Sequence, residues 1–157
     1  MHIDSRIFGE IDINDDKIIR FEEGVIGFKE YHNYALIYDE EKRKDPKGGI
    51  MWLQCMDEPD LAFPVADPLH IYPGYNPVVE DEWLAPIGEF DDVDDIFLLS
   101  ILTVPSDITK VTANLKAPLI INTVTKKACQ TIVNNEEYEI KYNIYDYVQS
   151  LKKKEAE

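Results

Sequence analysis

Apolar residues along this chain fall in short runs with a period close to two, broken by clusters of Gly, Pro, Asn and Asp. That is the pattern of half-buried strands rather than of amphipathic helices. Lys17–Phe21, Tyr34–Tyr38, Ile50–Cys55 and Leu61–Ala66 read as strands, and three stronger ones follow at Ile96–Val104, Val111–Leu115 and Pro118–Val124. Cys129–Val133 runs into Asn134-Asn135, a pair that tolerates the positive φ of a tight hairpin turn, so Tyr138–Tyr142 is expected to return as its partner. Seven to ten short strands with few helical patterns between them predict an all-β, mainly antiparallel sandwich or barrel.

Two helical candidates interrupt this pattern. Val78–Leu84 has room for one or two turns. Ile144, Tyr147, Val148 and Leu151 recur at helical spacing, and Lys152–Lys154 follow where cations suit the helix dipole, so 144–157 is expected to be a C-terminal helix packed on the β body. Pro59, Pro64, Pro68, Pro73, Pro77 and Pro86 crowd the middle and place that stretch at edges, bulges and loops, because proline removes donors from a ladder. Glu40–Gly49 is charged and glycine-bearing, and reads as a mobile loop.

A length of 157 residues with 45% hydrophobic content and seventeen aromatics supports one domain, 1–157, with a real core. The apolar run Ile96–Val104 is too short to cross a bilayer, and the first residues lack a basic, apolar leader, so a cytoplasmic location is expected. Cys55 and Cys129 are isolated thiols in strand-like contexts, expected buried and free in a reducing compartment.

Charge changes the picture most. From Gly48 to Thr109 there is no Lys or Arg, and thirteen Asp or Glu. Elsewhere eighteen acids nearly balance sixteen bases, so thirteen of the fifteen net negative charges sit mid-chain. Such a field repels nucleic acid and anionic membrane and attracts basic partners. Glu80, Glu82, Asp91, Asp92, Asp94 and Asp95 form its dense clusters, interleaved with Val78, Val79, Trp83, Leu84 and Phe90, and are the candidate partner-binding residues. Trp83 is expected in the core.

Other chemistries find less support. His2, His32, His70, Cys55 and Cys129 show no metal-ligand spacing. The aspartates at 91–95 lack the glycine and terminal glutamate of a calcium loop, so no metal and no cofactor are expected. No nucleophile elbow, Cys-His motif or phosphate loop is present, and clustered surface carboxylates are merely screened, so a non-enzymatic role is favoured. A calcium- or small-molecule-binding barrel using the acidic loops is the rival reading.

Two segments carry structural signals. Phe21-Glu-Glu-Gly24-Val-Ile-Gly27-Phe28 reads as a tight loop with positive φ at one or both glycines, pinned by Phe21 and Phe28 in the core. Thr112-Ala-Asn-Leu-Lys-Ala-Pro-Leu-Ile-Ile-Asn122 reads as two strands joined by a tight connection near Lys116 and Ala117. Pro118 opens the second strand, and Asn114 and Asn122 satisfy backbone groups at the bend.

Together with Trp52-Leu-Gln54, Asp60-Leu-Ala-Phe63, Asp67-Pro68, Ser100-Ile-Leu-Thr103, Gln130–Val133 and Tyr138, these segments occur in an order over the whole chain that resembles the FliW family of flagellar assembly factors. One departure is Ile26, where family members usually carry proline; the loop is expected to be less rigid here. The resemblance implies a compact β-barrel-like fold, no enzymatic activity and a partner switch. A FliW-like protein binds cytoplasmic flagellin and, once flagellin is exported, binds the basic RNA-binding repressor CsrA noncompetitively with RNA, which relieves repression of flagellin translation. It implies no direct nucleic-acid or membrane contact. A flagellin chaperone without a regulatory role is a third reading. Phe21, Gly24, Gly27, Phe28, Thr112, Asn114, Pro118 and Asn122 enter as its structural motif, not as interface residues.

Overall fold

The computed structural model describes residues 1–37 and 49–156, with side chains to residue 151. The expected loop Glu40–Gly49, apart from Gly49, lies outside the described residues, as do Tyr38 and the Lys152–Lys154 side chains.

Seven strands close a barrel. They are β3 (Ile19–Phe21), β4 (Asn33–Ile37), β5 (Ile50–Cys55), β6 (Ala62–Ala66), β7 (Ile96–Thr103), β9 (Leu119–Asn122) and β10 (Lys127–Gln130). Neighbours run β7-β6-β5-β4-β3-β10-β9, and β9 returns to β7 through Ile96↔Asn122 to Leu99↔Leu119. Every pairing is antiparallel except the seam between β10 and β3, where Lys127 and Ala128 lie parallel to Arg20 and Phe21. The rest of β7 pairs with β8 (Thr112–Ala113), and β8 with β11 (Tyr142–Asn143), which extends one wall beyond the barrel. Pro64 sits in β6 facing Trp52 of β5, one residue before the ladder to β7 begins at Val65, so its missing donor breaks no bond on that side.

Phe21, Tyr34, Leu53, Val65, Leu99 and Leu119 are fully buried in the barrel, with Phe21 and Tyr34 edge to face at 5.2 Å. Gln54 is buried too. Its amide nitrogen donates to the carbonyls of Cys55, Pro59 and Leu61 and its oxygen accepts from Ser5 Oγ at 2.7 Å, so one side chain shapes the β5–β6 turn. That serine belongs to β1 (His2–Ser5), which with β2 (Gly9–Asp12) makes a separate hairpin outside the expected strands. Its polar sequence hid it; beside Ser5, its inward residues are Ile3 and Ile11, near Ala35 and Met56. The C-terminal helix α2 (Tyr145–Ala156) packs Val148, with the preceding Ile144, on Leu102, Val111 and Ala113, as its apolar spacing predicts. A short helix α1 (Pro68–Ile71) is capped by Asp67, whose Oδ1 accepts from Leu69 N–H at 2.9 Å.

The glycine loop has positive φ at both positions, 72° at Gly24 and 91° at Gly27. A Cβ on Gly24 would lie 2.5 Å from Lys29 Cα, so only glycine fits. Phe28 corrects the expectation of core burial: it is half-buried, stacked edge to face on Phe63 at 5.3 Å. The N–H of Ile26, which proline would lack, donates to Gln130 Oε1 at 2.8 Å, while Gln130 Nε2 donates to Ala117 O at 3.0 Å. One glutamine thus ties the glycine loop to the bend near Ala117.

The predicted hairpin at Asn134-Asn135 does not form, and Tyr138–Tyr142 is not a returning strand; only Tyr142 joins β11. The alternation there is real, but other bonds win. Asn135 Oδ1 accepts from Val78 N–H at 2.6 Å and its Nδ2 donates to Asn76 O at 3.2 Å. Tyr138 is drawn into a cluster with Tyr72 and Tyr75, and its hydroxyl accepts from Asn76 N–H at 2.7 Å.

Candidate functional site

The segment from Val78 to Asp95 crosses the outside of β9 and β10 as a strap. Its first half is a 3-10 turn at Asp81–Ile87, shifted from the expected helix Val78–Leu84, whose first three residues lie outside any helix. Apolar side chains alternate with the acids and supply its inner face: Ile87 is fully buried against Ile120 and Cys129, with Val79 and Leu84 beside them. Trp83 corrects the expectation that it belongs to the core, because it stays half-buried.

Three residues of the β9–β10 turn fix the strap. Asn122, with no exposed surface, donates through Nδ2 to Ile87 O at 3.0 Å and Glu89 O at 3.1 Å. Thr125 Oγ1 donates to Ile87 O at 2.7 Å, and the Thr123 hydroxyl and N–H both donate to Asp95 O at 2.8 Å. Asn134 and Asn135 hold the other end, Asn134 N–H donating to Val78 O at 3.3 Å and its Nδ2 to Glu80 Oε1 at 3.4 Å. Sequence reasoning found Asn122 but missed these helpers. The signal for them was Thr123-Val-Thr125, whose first two residues read as the end of the strand Pro118–Val124, and the Asn pair, which reads as a hairpin turn alone.

All six candidate acids are strung along this one strap. Glu80 and Glu82 are exposed neighbours; a shared hydrogen bond with Glu80, then its charge, raises the Glu82 carboxyl above its ordinary value. Asp91, Asp92 and Asp94 are exposed and Asp95 is half-buried. Asp92 is more than a charge, since its Oδ1 accepts from Asp94 N–H at 2.9 Å and caps the 3-10 turn Val93–Asp95. Set among them, Phe90, Val93 and Val78 are 37%, 76% and 53% exposed. A fixed backbone therefore presents anionic and apolar side chains together, the combination that binds a basic protein surface with hydrophobic contacts.

The other motif residues lie elsewhere and serve the fold. Asn114 Oδ1 accepts from the N–H groups of Lys116 and Ala117 at 3.1 and 2.9 Å, Pro118 precedes β9, and Thr112 sits in β8 opposite Thr103. Cys55 and Cys129 are buried free thiols. No group of three His, Cys, Asp or Glu arranged to hold a metal ion occurs among the described residues, and no described helix is long and apolar enough to cross a membrane.

The family described as FliW protein matches residues 2–144. The chain belongs to the FliW family. Flagellar assembly factor FliW of Lachnospira eligens is 47% identical over 99% of this chain and 99% of its own length, and that of Lachnoclostridium phytofermentans is 44% identical over 99% and 97%. A crystal structure of the flagellar assembly factor FliW superposes with a TM-score of 0.80 at 30% identity, covering 92% of this chain and 96% of the other. FliW membership supports a role in flagellum assembly, and FliW proteins are assembly factors rather than a known enzyme family.

Proposed function

We propose that this chain is a non-enzymatic, cytoplasmic regulator of flagellum assembly that binds flagellin and, when free of it, binds CsrA and relieves repression of flagellin translation. The observation that carries the CsrA half is the strap: exposed carboxylates and apolar side chains on a backbone pinned by Asn122, Thr123 and Thr125. Pinning matters because a surface already ordered loses little entropy on binding. Steering by such a patch raises association rates by roughly 10- to 1,000-fold, most at low salt. The strap is not a substitute for RNA in the repressor's RNA site; it brings the repressor to a neighbouring surface and repels RNA from this protein.

The test is stopped-flow association with CsrA for the variant carrying Asp91→Asn, Asp92→Asn, Asp94→Asn and Asp95→Asn. Asn at 92 keeps the cap acceptor. Association is expected to slow by about tenfold at low salt and to lose most of its salt dependence. Unchanged on-rates across an ionic-strength series would sink the assignment. Adding flagellin to the wild-type mixture should displace CsrA; simultaneous binding of both would leave only the chaperone reading.

A further inference from the structure

One mouth of the barrel is built differently from its walls. β3 pairs with β4 only through Ile19↔Tyr34 and Arg20↔Asn33. Upstream the chain turns away into a 3-10 turn, Asp15–Lys17, closed by Lys17 N–H to Asn14 O at 2.9 Å. Beyond Tyr34, β4 thus has no β3 beside it, and the wall opens. The gap is a groove of about 490 Å³ whose lining includes Ile13, Leu36, Phe97 and the buried Ile19 and Ile121. Exposed Lys17, Thr123 and Lys126 line it too.

These lysines are notable in a chain of net charge −15. Neither takes part in an ion pair among the described residues, whereas Arg20 is paired with Glu22. Lys127 lies opposite Arg20 across the seam, so four cations gather at β3 and the β9–β10 turn. Asp15 and Asp16 flank Lys17 in its turn and Glu22 holds Arg20, so the cations available at the rim, directly over apolar surface, are Lys17 and Lys126. The size of the groove falls in the range of small-molecule pockets.

We propose that this mouth binds a single-chain apolar carboxylate of the medium-chain fatty-acid class. The alkyl chain lies on Ile19, Leu36, Phe97 and Ile121, and the carboxylate meets the Lys17 and Lys126 ammonium groups. No bond is made or broken. The proposal stands apart from the strap and its partner.

The test titrates the full chain with dodecanoate below its micelle concentration and follows backbone amide chemical shifts. Saturable one-site shifts are expected at Leu36, Phe97, Ile121 and Lys126, with decanoate binding on the order of tenfold more weakly for two lost methylenes. The double variant Lys17→Gln, Lys126→Gln should weaken dodecanoate by about fivefold while keeping the wild-type thermal midpoint, since both side chains are exposed. Dodecyltrimethylammonium, the same chain with a cationic head, should bind at the mouth more weakly than dodecanoate does to the double variant. Absence of saturable shifts at the mouth, an equal response to the cationic amphiphile, or full affinity in the double variant would each overturn the proposal.

Discussion

Asn114 and Asn122 use one device in two places, and the difference between them shows what the strap depends on. In each, Oδ1 accepts from the backbone N–H groups two and three residues on: Lys116 and Ala117 for Asn114, Val124 and Thr125 for Asn122. That closes a bend without help from a ladder. The side-chain bonds shown for Asn114 end there, although its backbone N–H donates to Ile101 O at 3.0 Å. Asn122 also spends its amide donors on Ile87 and Glu89, more than thirty residues away in sequence. One side chain acts within its bend; the other joins the barrel wall to the candidate partner surface.

The sharpest way to break this comparison is Asn122→Ala. It takes the amide donor from Glu89 O, leaves Ile87 O only the Thr125 hydroxyl, and strands two N–H groups of the turn around a fully buried site. A loss of about 3 kcal/mol is expected from urea unfolding, with hydrogen-exchange protection falling at Val124 and Thr125. The strap should also loosen over Cys129, whose thiol burial, helped by the Glu23 charge, pushes up to about 11 from an ordinary value of 9.0. A raised value keeps the thiol neutral, so alkylation of native Cys129 at pH 8 should run about a hundredfold slower than that of a free thiol. Asn122→Ala should recover much of that factor, read by mass spectrometry of the peptide that carries Cys129. Equal labelling in both proteins would mean that Ile87 and Leu84 hold the strap without Asn122. The smallest effect is expected from Asn114→Ala, about 1 kcal/mol, with protection lost at Lys116 and Ala117 and Cys129 still shielded. A cost equal to that of Asn122→Ala would remove the distinction.

The barrel strands were largely legible because their side chains alternate and their ends carry turn residues; Ile50–Cys55 has the same bounds in sequence and structure. The hairpin β1–β2 was not, since its few apolar residues meet a patch made by Ala35 and Met56 from distant parts of the chain. Tyr138–Tyr142 was misread for the opposite reason: the alternation is there, but Asn135 and Tyr138 find stronger partners at Asn76 and Val78. For the candidate site, the acids could be read off directly, while the support beneath them could not. Nothing local to Asn122 announces that its amide reaches Ile87, and nothing local to Trp83 says that Ile87 takes the buried place instead. Pairings that join distant residues leave no periodic trace at either end. The mouth groove is the extreme case, because it arises from where β3 stops.

The parallel seam between β3 and β10 has a consequence for synthesis. Phe21 and Ala128 pair although about a hundred residues separate them, so at ordinary bacterial elongation speeds β3 waits roughly 5–20 s for its partner. During that interval the hairpin meander β4 to β7 can form while the β3 edge stays bare, a template for unwanted pairing. The strap leaves the ribosome in the same interval, ahead of Asn122, Thr125 and Asn135, which later hold it in place. The acidic surface is therefore finished only when nearly the whole chain has been made, and a truncated product would carry its charges without their shape.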